Sequence, residues 1–141
     1  MIEILQAFSY YHEMRVRWAE VDAQNVVFNG NYMTYLDVAI TEFWRTRGIV
    51  YPEGFSKYNS DLFVKKATIE YHQPAIFDDL IRVYVRCGRI GTTSMQFLFE
   101  IFKDEATHLI SGELIYVNVD PANNRPSPVP EPLRALFLKE S

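Results

Sequence analysis

Two periodicities of apolar residues divide the first third of the chain. Over residues 13–18 polar and apolar side chains alternate, which is the period of a half-buried β-strand, so Met14, Val16 and Trp18 would face inward. Over residues 32–44 the apolar positions instead recur every three or four residues. That spacing predicts a helix with so little polar surface that we expect it to be covered on several sides.

The rest of the chain has the pattern of β-strands. Turn residues separate four further predicted strands, and Gly88 to Gly91 should end the second of them. The four strands are 62–71, 80–87, 93–102 and 107–119, and a short helix is predicted over 133–138. The order β-α-β-β-β-β predicts an α+β fold in one domain, 1–141. One antiparallel sheet curls around one long helix, because no alternating βαβ rhythm supports a parallel sheet.

Composition narrows the class of protein. The chain has 141 residues with a formal net charge of −4, so it lacks the basic footprint of a nucleic-acid-binding protein. No apolar run approaches the ~20 residues of a membrane helix, and residues 1–10 do not have the pattern of a signal peptide. The single cysteine, Cys87, cannot form an internal disulfide. We therefore expect a cytoplasmic protein without a membrane span.

The segment from Asp22 to Tyr32 carries the candidate chemistry. It begins with a carboxylate, continues through turn-forming Asn and Gly residues, and runs into the predicted helix. A helix N-terminus offers unpaired backbone N–H donors and a partial positive charge. A carboxylate beside such donors supplies two of the parts that a hydrolytic site needs.

Residues 17–32, RWAEVDAQNVVFNGNY, resemble the signature of hotdog-fold acyl-CoA thioesterases of the 4-hydroxybenzoyl-CoA thioesterase branch. The segments 71–75 (YHQPA) and 89–94 (RIGTTS) resemble the same branch, as does 120–130. The resemblance implies a hotdog fold, an acyl-CoA substrate, Asp22 as the catalytic carboxylate and the backbone N–H of Asn29 as the oxyanion donor. It also implies a homodimer or homotetramer with active sites at the subunit interface.

Two positions depart from that signature. Many members have Gly where this chain has Asn25, and Asn is the next-best residue for a left-handed turn position. Many have His or Tyr where this chain has Asn29. A backbone N–H is available from any of these residues, so the implied oxyanion role is retained, while the side chain at this position bears on substrate choice.

Six further residues are predicted to contact substrate. Phe28, Tyr32 and Tyr35 would form an aromatic lining, and Gly30 would allow close approach of the backbone. His72 would line the cleft if its strand end reaches Asp22, and Arg89 is a candidate for the phosphates of coenzyme A. The three histidines lack the spacing of a metal site, and neither a metal nor an organic cofactor is expected.

Several alternatives remain open from the sequence. Asp22 has a structural interpretation as a turn former, and a catalytic Asp22 would act either as a general base on water or as a nucleophile. Glu42 is a second acid on the helix, for which a surface ion pair with Arg45 is the favoured role. The substrate could be an acyl-carrier-protein thioester, or the chain a non-catalytic acyl-binding module. A dehydratase needs a catalytic His in a G-H-F-P setting, which this loop lacks.

Overall fold

A computed structural model describes residues 3–138 of the chain. The helices and strands are β1 (Tyr11–Arg15), α1 (Asn31–Thr46), α2 (Glu53–Ser56), β2 (Asp61–Tyr71), β3 (Leu80–Ile90), β4 (Ser94–Lys103), β5 (Thr107–Asp120), β6 (Arg125–Pro126) and α3 (Glu131–Leu138). Short 3-10 helices span Glu3–Ala7 and Trp18–Glu20. The α+β class and the order of the main elements are as predicted.

The strands form one antiparallel sheet in the order β1-β3-β4-β5-β2, and β6 pairs with β5. Hence β1 and β2 lie at its two edges. The inward side chains of β3, β4 and β5 alternate with outward polar ones and form one hydrophobic core with α1. This is the curled sheet around a long helix that the sequence predicts.

The apolar stripe of α1 faces the sheet. Its buried side chains are Tyr32, Tyr35, Leu36, Ala39, Ile40, Phe43 and Trp44. Thr34, Asp37 and Val38 are exposed in the single chain, so the expectation that α1 is covered on several sides is wrong for one copy. Gly48 ends the helix with φ +78, the left-handed conformation expected of a C-terminal glycine.

Two strand boundaries differ from those predicted. The first strand ends at Arg15, because the chain turns into the 3-10 helix Trp18–Glu20, and Trp18 is 72% exposed instead of facing inward. The glycines after Cys87 do not end β3, which continues to Ile90 with a shift in its pairing with β4. A Cβ at Gly88 would overlap with Oε1 of Gln96, so this glycine makes room for a neighbouring side chain.

Candidate active site

Backbone hydrogen bonds fold residues 20–28 into a narrow loop ahead of α1. The Asp22 N–H donates to the carbonyl oxygen of Val26 (2.9 Å), and Val21 and Val27 form an isolated β-bridge. The carbonyl oxygen of Glu20 accepts from the N–H of Phe28 at 3.0 Å. These bonds place Asp22 on one arm of the loop, opposite the arm that enters the helix.

The side chain of Glu20 anchors this loop through hydrogen bonds to Arg17 and Tyr35. Glu20 is 8% exposed, and its carboxylate accepts hydrogen bonds from the backbone and guanidinium of Arg17 and from the hydroxyl of Tyr35. Burial alone would raise the pKa of Glu20, but the hydrogen bonds from Arg17 and Tyr35 outweigh it and hold that pKa below its ordinary value. No local sequence pattern marks Glu20 as a site residue, because its partner Tyr35 lies fifteen residues away along the chain.

Asp22 ends the first arm of the loop and begins the turn at its tip. Its Oδ1 accepts a hydrogen bond from the Gln24 N–H at 2.8 Å, which is an Asx-turn. Asn25 follows with φ 64, the left-handed conformation predicted for it. The side chain of Asp22 is partly exposed, and among residues 3–138 no hydrogen-bond donor contacts its Oδ2. The turn role of Asp22 is therefore real and leaves one carboxylate oxygen available.

Asn29 presents a backbone donor at the entry to α1. Its carbonyl oxygen accepts from the Tyr71 hydroxyl (3.2 Å) and the Tyr32 N–H (3.4 Å), whereas its own N–H donates to no other residue within the described part of the chain. At the neighbouring Gly30, an added Cβ would lie 2.9 Å from Cε2 of Phe28, so the ring of Phe28 folds over the glycine. The helix entry thus keeps a free N–H beside an aromatic ring.

A cavity of about 280 Å³ lies beside this entry. Its walls are apolar and aromatic with a few polar groups, a composition typical of ligand pockets. They are formed by Val26, Val27, Asn29, Tyr32 and residues 71–74. The hydroxyl of Tyr32 accepts from the Ala75 N–H at 3.0 Å, which joins the helix to the segment after β2.

The structure brings some of the predicted site residues together and separates others. Asn29, Tyr32 and His72 line the cavity, Phe28 and Gly30 lie beside Asn29, and Asp22 lies on the opposite arm of the loop. Tyr35 is buried against Glu20 and is not part of the cavity wall. Arg89 is far from the loop. It lies near the end of β3, whereas the start of that strand, Leu80, pairs with Arg15 just before the loop. The two ends of β3 are on the order of 30 Å apart.

A larger cavity of about 560 Å³ follows the exposed side of α1. Asp37 and Glu42 line it together with Val64 of β2 and Tyr116 of β5. Glu42 lies 3.3 Å from the Nε of Arg45, which confirms the predicted surface pair. Burial raises the pKa of the Asp37 carboxyl. Neither acid belongs to the cavity at the helix entry.

Within residues 3–138 no helix is long and apolar enough to cross a membrane. In the same range, no three His, Cys, Asp or Glu side chains meet in an arrangement that would hold a metal ion.

Known proteins share this sequence pattern and this architecture. The acyl-CoA thioester hydrolase YbgC of Escherichia coli is 29% identical over 124 residues, which cover 88% of this chain and 92% of that protein. The acyl-CoA thioesterase YbgC of Haemophilus influenzae is 25% identical over 125 residues, covering 88% and 90%. A 1,4-dihydroxy-2-naphthoyl-CoA thioesterase from Synechocystis superposes with a TM-score of 0.82 at 18% identity, covering 92% of this chain and 95% of that one.

These likenesses confirm the predicted hotdog fold, whose curled sheet and central helix are those of the superposed thioesterase structure. The sequence profile of the thioesterase superfamily matches residues 24–109, which are more than half of the chain. The chain therefore belongs to the thioesterase superfamily and is, at that level, a thioester hydrolase.

Proposed function

We propose that the protein hydrolyses acyl-CoA thioesters at the cavity beside the entry to α1. Asp22 is the catalytic carboxylate, and the backbone N–H of Asn29 is the oxyanion donor. The observation that carries this proposal is that Asn29, a residue of the cavity wall whose N–H has no acceptor among residues 3–138, ends the loop whose other arm bears Asp22. The names of the E. coli and H. influenzae relatives support coenzyme A as the carrier of the acyl group.

The chemistry follows from these two groups. As the carbonyl carbon becomes tetrahedral, negative charge develops on its oxygen, and a fixed N–H donor at a helix entry stabilises that charge. Loss of one such donor raises the barrier by about 3–4 kcal/mol in other enzymes. The carboxylate of Asp22 either takes a proton from the water that attacks the carbonyl, or attacks the carbonyl itself. In both routes the carbon–sulfur bond breaks and CoA leaves as its thiolate, and in the second route water then hydrolyses the anhydride that Asp22 has formed. Neither route requires a metal or an organic cofactor.

The proposed assembly is a homodimer that pairs along β2. This strand has 11 residues, bonds to β5 on one side and has no partner strand on the other within residues 3–138. Near its start, β2 exposes the apolar side chains of Phe63 (42%) and Val64 (50%). An exposed apolar edge is a template for pairing with another strand. Antiparallel pairing would bring the start of the partner's β2 beside the cavity at the end of this one. The homotetramer and the cytoplasmic location stay predictions.

The test is release of free CoA from a panel of short, long and aromatic acyl-CoA esters, with acyl-carrier-protein thioesters included. Wild type is compared with Asp22→Asn, which keeps the Asx-turn acceptor but removes the charge. Asp120→Asn is the matched control, because Asp120 Oδ1 accepts from the Ala122 N–H in the same i to i+2 turn geometry (2.9 Å). We expect kcat of Asp22→Asn to fall on the order of 10²-fold or more and the control to match wild type.

Each outcome is decisive. Equal rates for wild type and Asp22→Asn would remove Asp22 from the chemistry. Tight binding of acyl-CoA without turnover by wild type would instead indicate an acyl-binding module. Turnover restricted to carrier-protein thioesters would keep the mechanism and correct the substrate.

A further inference from the structure

A polar cluster outside the loop holds His72 in place. We define it as His72, Glu100, His108 and Ser111, contributed by the end of β2 and by β4 and β5. Ser111 Oγ lies 3.0 Å from His72 Nε2 and 2.7 Å from Glu100 Oε1. His108 Nε2 lies 2.7 Å from the same Glu100 oxygen and 3.1 Å from the carbonyl oxygen of Ile110. The two imidazole rings are 4.4 Å apart.

The donors and acceptors of these contacts favour one arrangement of the protons. The carboxylate of Glu100 and the carbonyl of Ile110 are acceptors, so His108 Nε2 must carry a proton. The hydroxyl of Ser111 donates its single proton to Glu100. Its oxygen is then an acceptor for the two nearby imidazole nitrogens, His72 Nε2 at 3.0 Å and His108 Nε2 at 3.2 Å, which favours a proton on Nε2 of His72. A neutral His72 is therefore the Nε2–H tautomer with a lone pair on Nδ1.

His72 belongs to the wall of the proposed active site. It lines the cavity together with Asn29, whereas Ser111 is not part of the cavity wall. The backbone N–H of His72 donates to the carbonyl oxygen of Leu109 at 2.8 Å, so both the backbone and the Nε2 side of the ring are fixed. Within residues 3–138 no group donates a hydrogen bond to Nδ1 of His72.

We propose that Nδ1 of His72 accepts a hydrogen bond from the water that attacks the acyl carbonyl. Ser111 and Glu100 are positioning residues that hold the ring in the accepting tautomer, as a third group orients the base in other hydrolytic sites. This inference rests on the proposed thioester hydrolysis at this cavity. It adds an orienting acceptor for water to the carboxylate of Asp22 and the donor of Asn29.

Kinetics of three variants test the role in turnover. His72→Ala should lower kcat at least about tenfold with KM unchanged, because only the attacking water loses a partner. Ser111→Ala should lower kcat less, since the ring remains but either tautomer becomes available. His12→Ala is the matched control, because His12 is a half-buried histidine on β1, at the opposite edge of the sheet.

Two further readouts separate this role from a structural one. Added imidazole should restore part of the kcat of His72→Ala, whose removed side chain is exposed to solvent, and should leave Asp22→Asn unchanged. Nitrogen-15 NMR at alkaline pH, where imidazoles are neutral, should show wild-type His72 protonated at Nε2. In Ser111→Ala the signal should change to a mixture of the two tautomers.

The possible failures are distinguishable. If wild type turns over acyl-CoA and His72→Ala keeps its kcat, the inference is overturned and the hydrolase assignment stands. An Nδ1–H tautomer in wild type overturns it in the same way. Absence of turnover by wild type on every thioester removes the proposed function, and the role of His72 in water attack is lost with it.

Discussion

The hydroxyl of Tyr35 donates a hydrogen bond of 2.9 Å to the Oε1 of Glu20, fifteen residues earlier in the chain. Both groups are buried, and Glu20 is the residue whose carbonyl oxygen closes the loop that carries Asp22. The bond therefore fixes the loop that carries Asp22 to the first turns of α1, the helix whose entry bears the proposed oxyanion donor. The geometry of the proposed site depends on a pair that is not part of the cavity wall.

Replacement of Tyr35 by Phe should destabilise the protein. The Phe ring keeps the packing, but a buried carboxylate loses a donor, so we expect a loss of about 1.5–3 kcal/mol in the free energy of unfolding. Urea denaturation of the variant beside Tyr11→Phe, whose ring is 42% exposed, would measure it. A Tyr35→Phe variant as stable as wild type would show that Arg17 alone satisfies Glu20.

Acid should remove the contribution of Glu20 to stability. The folded pKa of this carboxyl lies below its ordinary value of 4.5, so its stabilising effect is complete above that pH. It is lost progressively as the pH falls from 4.5 through the lower folded pKa. The difference in unfolding free energy between wild type and Glu20→Gln should be about 1–3 kcal/mol at neutral pH and should shrink below pH 4.5. A difference independent of pH would contradict the ionised state.

The backbone role of Asn29 predicts opposite results for two substitutions. Asn29→Ala keeps the N–H and should retain kcat, while Asn29→Pro removes it and should lower kcat on the order of 10²–10³-fold. No internal hydrogen bond of the described chain is lost with that N–H, so thermal unfolding should show both variants folded. Equal activity of both would exclude this donor, and equal inactivity would assign the function to the side chain.

The sequence predicts the main elements because each is dictated by local periodicity. The stripe of α1 and the alternation along β3 to β5 arise from residues that all face one core. Trp18 shows where such reasoning fails. The alternation of polar and apolar residues continues to Trp18, but the strand ends at Arg15 and the chain turns into a 3-10 helix after Arg17. The sequence predicts a strand break at Gly88, whereas this glycine accommodates Gln96 from the adjacent strand, a contact that depends on the register of the two strands.

The candidate site shows the same division. The loop of Asp22 and the left-handed Asn25 could be predicted, since turn chemistry is local. Glu20 and the cluster around His72 could not, because their partners come from distant elements. The one local signal for Glu20 was its i,i+3 spacing from Arg17, which forms the observed ion pair but does not indicate burial.

The last prediction concerns the proposed dimer. Val64 is 50% exposed on β2, so Val64→Glu should place a charge in the proposed interface and shift the protein towards monomer. Activity should fall together with the dimer fraction if antiparallel pairing completes the cavity at the end of β2. Light scattering coupled to size exclusion would give the mass, and CoA release on the same fractions would give the activity.

Val50→Glu is the matched control, because Val50 is equally exposed (50%) but belongs to the loop after α1 and not to β2. It should leave both mass and activity unchanged. A monomeric wild type with full activity would contradict the interface, since the cavity beside Asn29 would then be complete within one chain. A Val64→Glu protein that stays dimeric would assign the contact to a surface other than the edge of β2.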